Sequence, residues 1–202
     1  MCGYAVFTVD INYNCIAVYV EPENTVYLFY TREKTILDSY LHRYRKKIQS
    51  IADVSIRSRL YWEYREKAYR VVDTIRRRLY TRFGQLVKKH KPVVLVLENL
   101  YWSGYGLYDS WYQWNPCQIQ SILAAIVKRA GGDVVYIDPR HTSTTCPVCG
   151  NTLVPGENRL MKCSVCGYTG NRDVVAVLNL YKRYTQRKPD TETVKIKAIR
   201  LI

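Results

Sequence analysis

Two cysteine pairs, Cys146-x-x-Cys149 and Cys163-x-x-Cys166, stand 13 residues apart and constrain this 202-residue chain more than any other feature. Each pair reads as a knuckle, and two knuckles bring four thiolates to the tetrahedral corners around one Zn2+. Gly150 and Gly167 follow the second cysteine of each pair, where a tight turn needs positive φ. With a thiolate at every corner, no position stays open for a substrate, so the zinc is expected to be structural. An iron-centred site is the alternative. Cys2, Cys15 and Cys117 bring the total to seven, an odd number for a disulfide framework, and read as small buried hydrophobes.

Charge narrows the class of partner. The formal net charge is +14, and residues 32–91 hold 18 basic side chains against six acidic ones. Such an excess points to a polyanion, with nucleic acid favoured over an anionic membrane surface. The runs Arg43, Arg45, Lys46, Lys47 and Arg76, Arg77, Arg78 are expected to contact nucleic acid by neutralising phosphates. A solvated helical face is the plainer reading, but such faces ordinarily mix signs. A hydrophobic content of 48% excludes intrinsic disorder. No apolar run approaches a membrane span of about 20 residues, and the N-terminus lacks a signal-peptide pattern, so an intracellular, cytoplasmic protein without a membrane partner is expected.

Along the chain, β-branched and aromatic segments at Tyr4–Ile11, Cys15–Val20 and Thr25–Tyr30 predict a meander of three strands. From Glu33 to His90 the spacing of Tyr, Leu and Ile by three and four predicts helix. Val93 to Glu98 reads as a strand buried on both faces. Residues 101–115 form a loop rich in Trp, Tyr and Gly, whose Trp102, Trp111 and Trp114 suit stacking on bases or packing on their own domain. Further elements are expected at Gln118–Ala130 (helix), Asp133–Asp138 (strand), Arg172–Arg183 (helix) and Val194–Ile202 (a weakly alternating strand). The pattern is a mixed α/β layout around one core.

Three carboxylates occupy the ends of these elements. Asp10 closes the first strand, Glu98 the buried Val-rich strand, and Asp173 lies in the first turn of the last helix. Singly, each has a plain explanation: an Asx-turn for Asp10, an arginine partner for Glu98, the helix dipole for Asp173. If the first and fourth strands lie side by side, two of these ends come close in space. Three converging carboxylates in a basic protein suit two Mg2+ or Mn2+ ions held about 4 Å apart for phosphodiester hydrolysis.

The segments Val-Asp10-Ile-Asn, Val-Leu-Glu98-Asn-Leu, Asp138-Pro-Arg-His-Thr-Ser143-Thr-Thr-Cys146-Pro-Val-Cys149-Gly, Cys163-Ser-Val-Cys166-Gly-Tyr and Asn171-Arg-Asp173-Val-Val-Ala176-Val-Leu-Asn179-Leu carry a closer likeness. They resemble the RNase H-like (RuvC) nuclease domain and embedded zinc ribbon of the TnpB family, transposon-encoded relatives of type V CRISPR effectors. The resemblance spans about residues 4–184. It implies a mixed α/β sheet with a basic helical insertion (33–90) in a nuclease core (1–140), a zinc ribbon (141–170), and a final helix and tail (171–202). It also implies that Asp10, Glu98 and Asp173 are the metal-binding catalytic triad. RNA-guided members carry a long N-terminal portion that holds guide RNA. Asp10 lies ten residues from the start of this chain, so that portion is expected to be lacking. Where the family usually has Gly two residues after this Asp, the chain has Asn12.

The expected function is a Mg2+- or Mn2+-dependent DNA endonuclease acting on structured or single-stranded DNA. Two alternatives stand beside it: a guide-dependent nuclease with RNA or a partner chain, and a non-catalytic nucleic-acid-binding protein derived from a transposon nuclease. A dimer suits a small resolvase-like enzyme, although no visible feature encodes the interface.

Overall fold

The computed structural model describes residues 3–12, 14–31, 43–100 and 116–201. The aromatic segment with Trp102, Trp111 and Trp114, the helix expected over 33–42, and Cys2 lie outside the described residues.

The elements run β1 (Ala5–Ile11), β2 (Cys15–Val20), β3 (Thr25–Tyr30), α1 (Val54–His90), β4 (Val93–Glu98), α2 (Pro116–Arg129), β5 (Asp133–Ile137), the short strands β6 (Val154–Pro155), β7 (Leu160–Lys162) and β8 (Thr169–Asn171), then α3 (Arg172–Thr185) and β9 (Lys195–Arg200). A helical stretch at 43–49 precedes α1. The break between them falls at Asp53, whose carboxylate caps α1 by accepting from the Ser55 and Ile56 N–H groups.

Six strands form one mixed sheet in the order β5-β4-β1-β2-β3-β9. β1, β2 and β3 pair antiparallel, while β4, β5 and β9 join parallel. The first and fourth strands are therefore neighbours, as the carboxylate argument required. The alternating tail also finds its place, with Lys195–Arg200 pairing along Thr25–Tyr30.

Both faces of the sheet's central strands are covered, which is why β2 and β4 read as unbroken apolar runs. One face presents Phe7, Val9, Ile16, Val18 and Phe29 to the α1 residues Val72, Ile75, Leu79 and Phe83 and to the α2 residues Ile119, Leu123 and Val127. The other presents Ala17, Tyr19, Val26 and Leu28 to Val174, Val177, Leu178 and Tyr181 of α3. Val94 and Val96 of β4 meet Leu180 on that same face. At the other end of α3, Val175 reaches into a small cluster of Cys146, Leu153, Met161 and Cys163. The last helix thus joins the sheet to the cysteine knuckles.

Candidate active site

Strand pleat and register decide where the carboxylates point. In the parallel β1–β4 pair Val9 lies opposite Leu97, so Asp10 and Glu98 are the next residues along each strand. Asp10 shares the parity of Thr8, whose hydroxyl donates to the Val177 carbonyl of α3 at 2.7 Å. Glu98 shares the parity of Val94 and Val96, which meet α3 at Leu180. Side chains two apart on a strand share a face, so both acids stand on the α3 side at the sheet's carboxyl edge.

Asp173 arrives from above. Asn171 caps α3 by accepting from the Asp173 N–H at 2.8 Å, which fixes Asp173 in the first turn over the same edge. Asp10 and Asp173 are buried, 7% and 2% exposed. The carboxamide Nδ2 of Asn12 donates to Asp10 Oδ2 at 2.6 Å and to Asp173 Oδ1 at 2.7 Å. Arg159 donates to Asp173 through Nε at 3.2 Å and also through Nη2. Thr142 donates to Glu98 Oε1 at 2.7 Å, and Asn179 of α3 holds the loop around Thr142 by donating to the Thr142 and Thr145 carbonyls. Beside Asp173 a cavity of about 240 Å3 opens, lined by Asn12, Asn14, Tyr30, Asn158, Arg159 and Asn171 among others.

The electrostatics are those of crowded acids. Burial, then the neighbouring Glu98 and Asp173 carboxylates, push the Asp10 carboxyl up to about 8, against opposing help from Asn12 and Arg159. Glu98 is also raised by burial, partly offset by the Thr142 hydrogen bond and the Arg183 charge. Removing charge from water without full compensation disfavours the ionised form. A cation at this edge would relieve the strain on both groups, so the donor set suits a hard, oxygen-seeking ion such as Mg2+ or Mn2+. The three acids do not converge on a single point: the four cysteines have ligand atoms all within 4.8 Å of one another, and the acids are not such a group. A pair of ions about 4 Å apart spreads its ligands more widely than one ion does.

The cysteine prediction meets a compact geometry. Cys146 and Cys166 sulfurs lie 3.6 Å apart, and Cys149 and Cys163 sulfurs 3.5 Å apart, close to the roughly 3.8 Å expected between sulfurs bound at about 2.3 Å around tetrahedral zinc. Gly150 and Gly167 take φ of 83° and 74°, and their N–H groups close the knuckles on the Cys146 and Cys163 carbonyls. Hydrogen bonds from Asn151, side chain and backbone, lower the Cys149 thiol to about 6, favouring the thiolate a metal needs. This cluster supports a structural Zn2+.

The basic residues sort less uniformly. Arg43, Lys46 and Lys47 are exposed and Arg45 half-buried. Arg77 is exposed and pairs with Asp73 at 2.8 Å, and Arg78 donates to the Leu201 carbonyl. Arg76 corrects the expectation of a common basic face: it is buried and donates to Gln118 at 2.9 Å. Successive helical residues point about 100° apart, so three in a row cannot share one face. Some acids of α1 also pair with arginines one turn away, as at Arg59–Glu63 and Arg70–Glu66.

Arg159 and Thr142 carried no sequence signal for the site. Arg159 sits in the spacer between the knuckles and resembles any surface arginine until the turn at Asn158 and Arg159, with φ of 52° and 61°, carries it to Asp173.

The comparisons agree with this architecture. The Cas12f1-like TNB domain model matches residues 117–180. The chain is 42% identical over 71 residues to the TnpB-like protein MJ0751 of Methanocaldococcus jannaschii, covering 35% of this chain and 26% of that protein. It is 30% identical over 125 residues to the TnpB-like protein MJ0012 of the same organism, covering 61% of this chain and 56% of that one. Against the CRISPR-associated endodeoxyribonuclease Cas12f1 of Sulfoacidibacillus thermotolerans it is 35% identical over 71 residues, 33% of this chain and 16% of that one. The chain thus spans between 16% and 56% of the length of these curated relatives. Its fold matches a chain of the Cas12f1-sgRNA-target DNA complex with a TM-score of 0.59 at 17% identity, covering 88% of this chain and 49% of that chain. The mixed sheet thus shares its fold with that Cas12f1 chain, and the four cysteines form a zinc-ribbon-like cluster beside it. On sequence the chain is similar to TnpB-like proteins and to Cas12f1 over part of their length, and its residues 117–180 match the Cas12f1-like TNB domain.

Proposed function

We propose that the protein is a divalent-metal-dependent DNA endonuclease whose catalytic carboxylates are Asp10, Glu98 and Asp173. The observation that carries this reading is their common placement: Asp10 and Glu98 end neighbouring strands on the α3 side of one sheet edge, and Asp173 stands in the first turn of α3 over that edge. Mg2+ or Mn2+ bound there supplies an activated water and neutralises the charge that builds on the phosphodiester. The chain's own residues do the positioning. Asp10 feels the charge of both other acids, Thr142 orients Glu98, and Asn171 fixes Asp173. Arg159, already at the site, offers a guanidinium suited to an oxygen of the scissile phosphate.

In this reading a nuclease core (1–140, with the basic insertion 33–90), a zinc ribbon (141–170) and a last helix with tail (171–202) work as one unit. The cysteine cluster's task is to hold the turn that carries Arg159. Arg43, Arg45, Lys46, Lys47, Arg77 and Arg78 grip the DNA backbone, with steep salt dependence. A guide-dependent form of the same activity is supported by the likeness of the fold to the Cas12f1 chain that is bound to sgRNA and target DNA.

The test is incubation of purified protein with single-stranded, duplex and branched DNA, with and without Mg2+ or Mn2+, beside Asp10→Ala and Glu98→Ala. Metal-dependent cleavage by wild type and its loss in both variants is the expected result. Cleavage that persists in Asp10→Ala would overturn the assignment. Co-purifying RNA that restores cleavage in an otherwise inactive preparation would select the guide-dependent form.

A further inference from the structure

We infer that Asn12 is a built-in bridge of the Asp10–Asp173 pair, a carboxamide that ties the two acids together in the cation-free protein and must release both oxygens to a divalent ion. The inference rests on the reading of these acids as cation ligands and adds a residue that sets how tightly the cation is held.

Its basis is geometric. A primary amide nitrogen carries two hydrogens, and Asn12 Nδ2 has one acceptor for each: Asp10 Oδ2 at 2.6 Å and Asp173 Oδ1 at 2.7 Å. Among the described residues Asn12 is the one side chain that donates to Asp10. The backbone holds the amide where it is, since the Asn12 N–H bonds the Cys15 carbonyl at 2.9 Å in the β1–β2 turn. Both acids are almost fully buried, so water compensates little of their repulsion and the amide does so in its place. The lone pairs it engages belong to the oxygens a bridging cation would use. Arg159 hydrogen-bonds Asp173 and reaches Asp10 only through its charge, so the hydrogen bond to Asp10 comes from Asn12.

Two variants separate this role from plain turn structure. Asn12→Asp keeps the shape and reverses the hydrogen-bonding sense, and Asn12→Ala removes the group. Without divalent cation, melting temperatures should fall in the order wild type, Asn12→Ala, Asn12→Asp. In Mn2+ titrations of the zinc-loaded protein followed by electron paramagnetic resonance, Asn12→Ala should bind about tenfold more tightly than wild type, a gain of about 1.4 kcal/mol. Asn12→Asp should bind more tightly still. Mn2+ affinity that is unchanged or weaker in both variants would overturn the inference and leave Asn12 a turn residue. Asp10→Ala serves as the control for the underlying reading. If it binds Mn2+ as wild type does, the acids are not the cation site and the proposed function falls. The order of cation-free melting temperatures would then still report whether the amide bridges the acids.

Discussion

At Glu23 one carboxylate serves three donors: Lys89 at 2.5 Å, His90 at 2.8 Å and the Tyr27 hydroxyl at 2.5 Å. Burial alone would raise its pKa, but these hydrogen bonds outweigh it and lower the group to about 2 from an ordinary 4.5. A depressed carboxylate contributes stability above its unfolded pKa and loses it as pH falls through the folded one. Wild type should therefore be more stable than Glu23→Gln at neutral pH, with the gap closing between about pH 5 and pH 2 in urea titrations. A gap that stays constant over that range would disprove the linkage. Glu23 lay in a stretch that read only as a turn between strands, because two of its three partners, Lys89 and His90, come from the far end of α1, more than 60 residues away. Asp10, Glu98 and Asp173 stood out as candidates because Asp10 and Glu98 end apolar strands and Asp173 opens the last helix. Arg76 was misleading for the converse reason, since composition records a charge but not the direction in which a helix turns it.

Among the elements, α3 does the most varied work. Its first turn presents Asp173, Val175 enters the knuckle cluster, and Val174, Val177 and Leu178 cover the sheet. The periodicity of Val, Leu and Tyr made this helix visible in the sequence, and the structure adds its N-cap at Asn171. The turn from α2 into β5 makes a sharper local demand. A Cβ on Gly132 would overlap the Val93 carbonyl oxygen and crowd Val127 Cγ1 at 2.7 Å. The backbone oxygen cannot move without disturbing the β4 end of the sheet, so Gly132→Ala should cost about 1–3 kcal/mol, the usual range for overpacking. Urea unfolding checks this, and a change below about 0.5 kcal/mol would show that the turn relaxes. Sequence alone offered Gly131-Gly132 as a helix stop and did not distinguish the two. Gly131 is needed for its φ of 79°, Gly132 for space.

For the molecule as a whole, the cysteine cluster and the sheet differ in what holds them. The sheet is sandwiched between helices by two extensive apolar clusters, whereas the knuckles share, among the described residues, a small cluster of Cys146, Leu153, Met161, Cys163 and Val175 with Tyr168 packed against it. So small a core does not hold a fold unaided, and a structural zinc supplies the difference. Purified protein should contain one zinc per chain. Its removal by a strong chelator should abolish hydrogen-exchange protection over residues 146–171 while β1–β4 stay protected. Protection that survives zinc loss would show that packing suffices. Because Arg159 belongs to this unit, zinc loss should also release it from Asp173. The sequence by itself determined the strands of the six-stranded sheet, the last helix and the four thiolate positions, and offered the three acids as candidates, since periodicity, turn residues and ligand spacing are local properties. Tertiary structure alone decided that Asn12 bridges two of those acids, that Thr142 and Arg159 come to the site, and that Arg76 turns inward. Those relations join residues up to 161 positions apart, and they exist only once strand register and helix docking have set the distances.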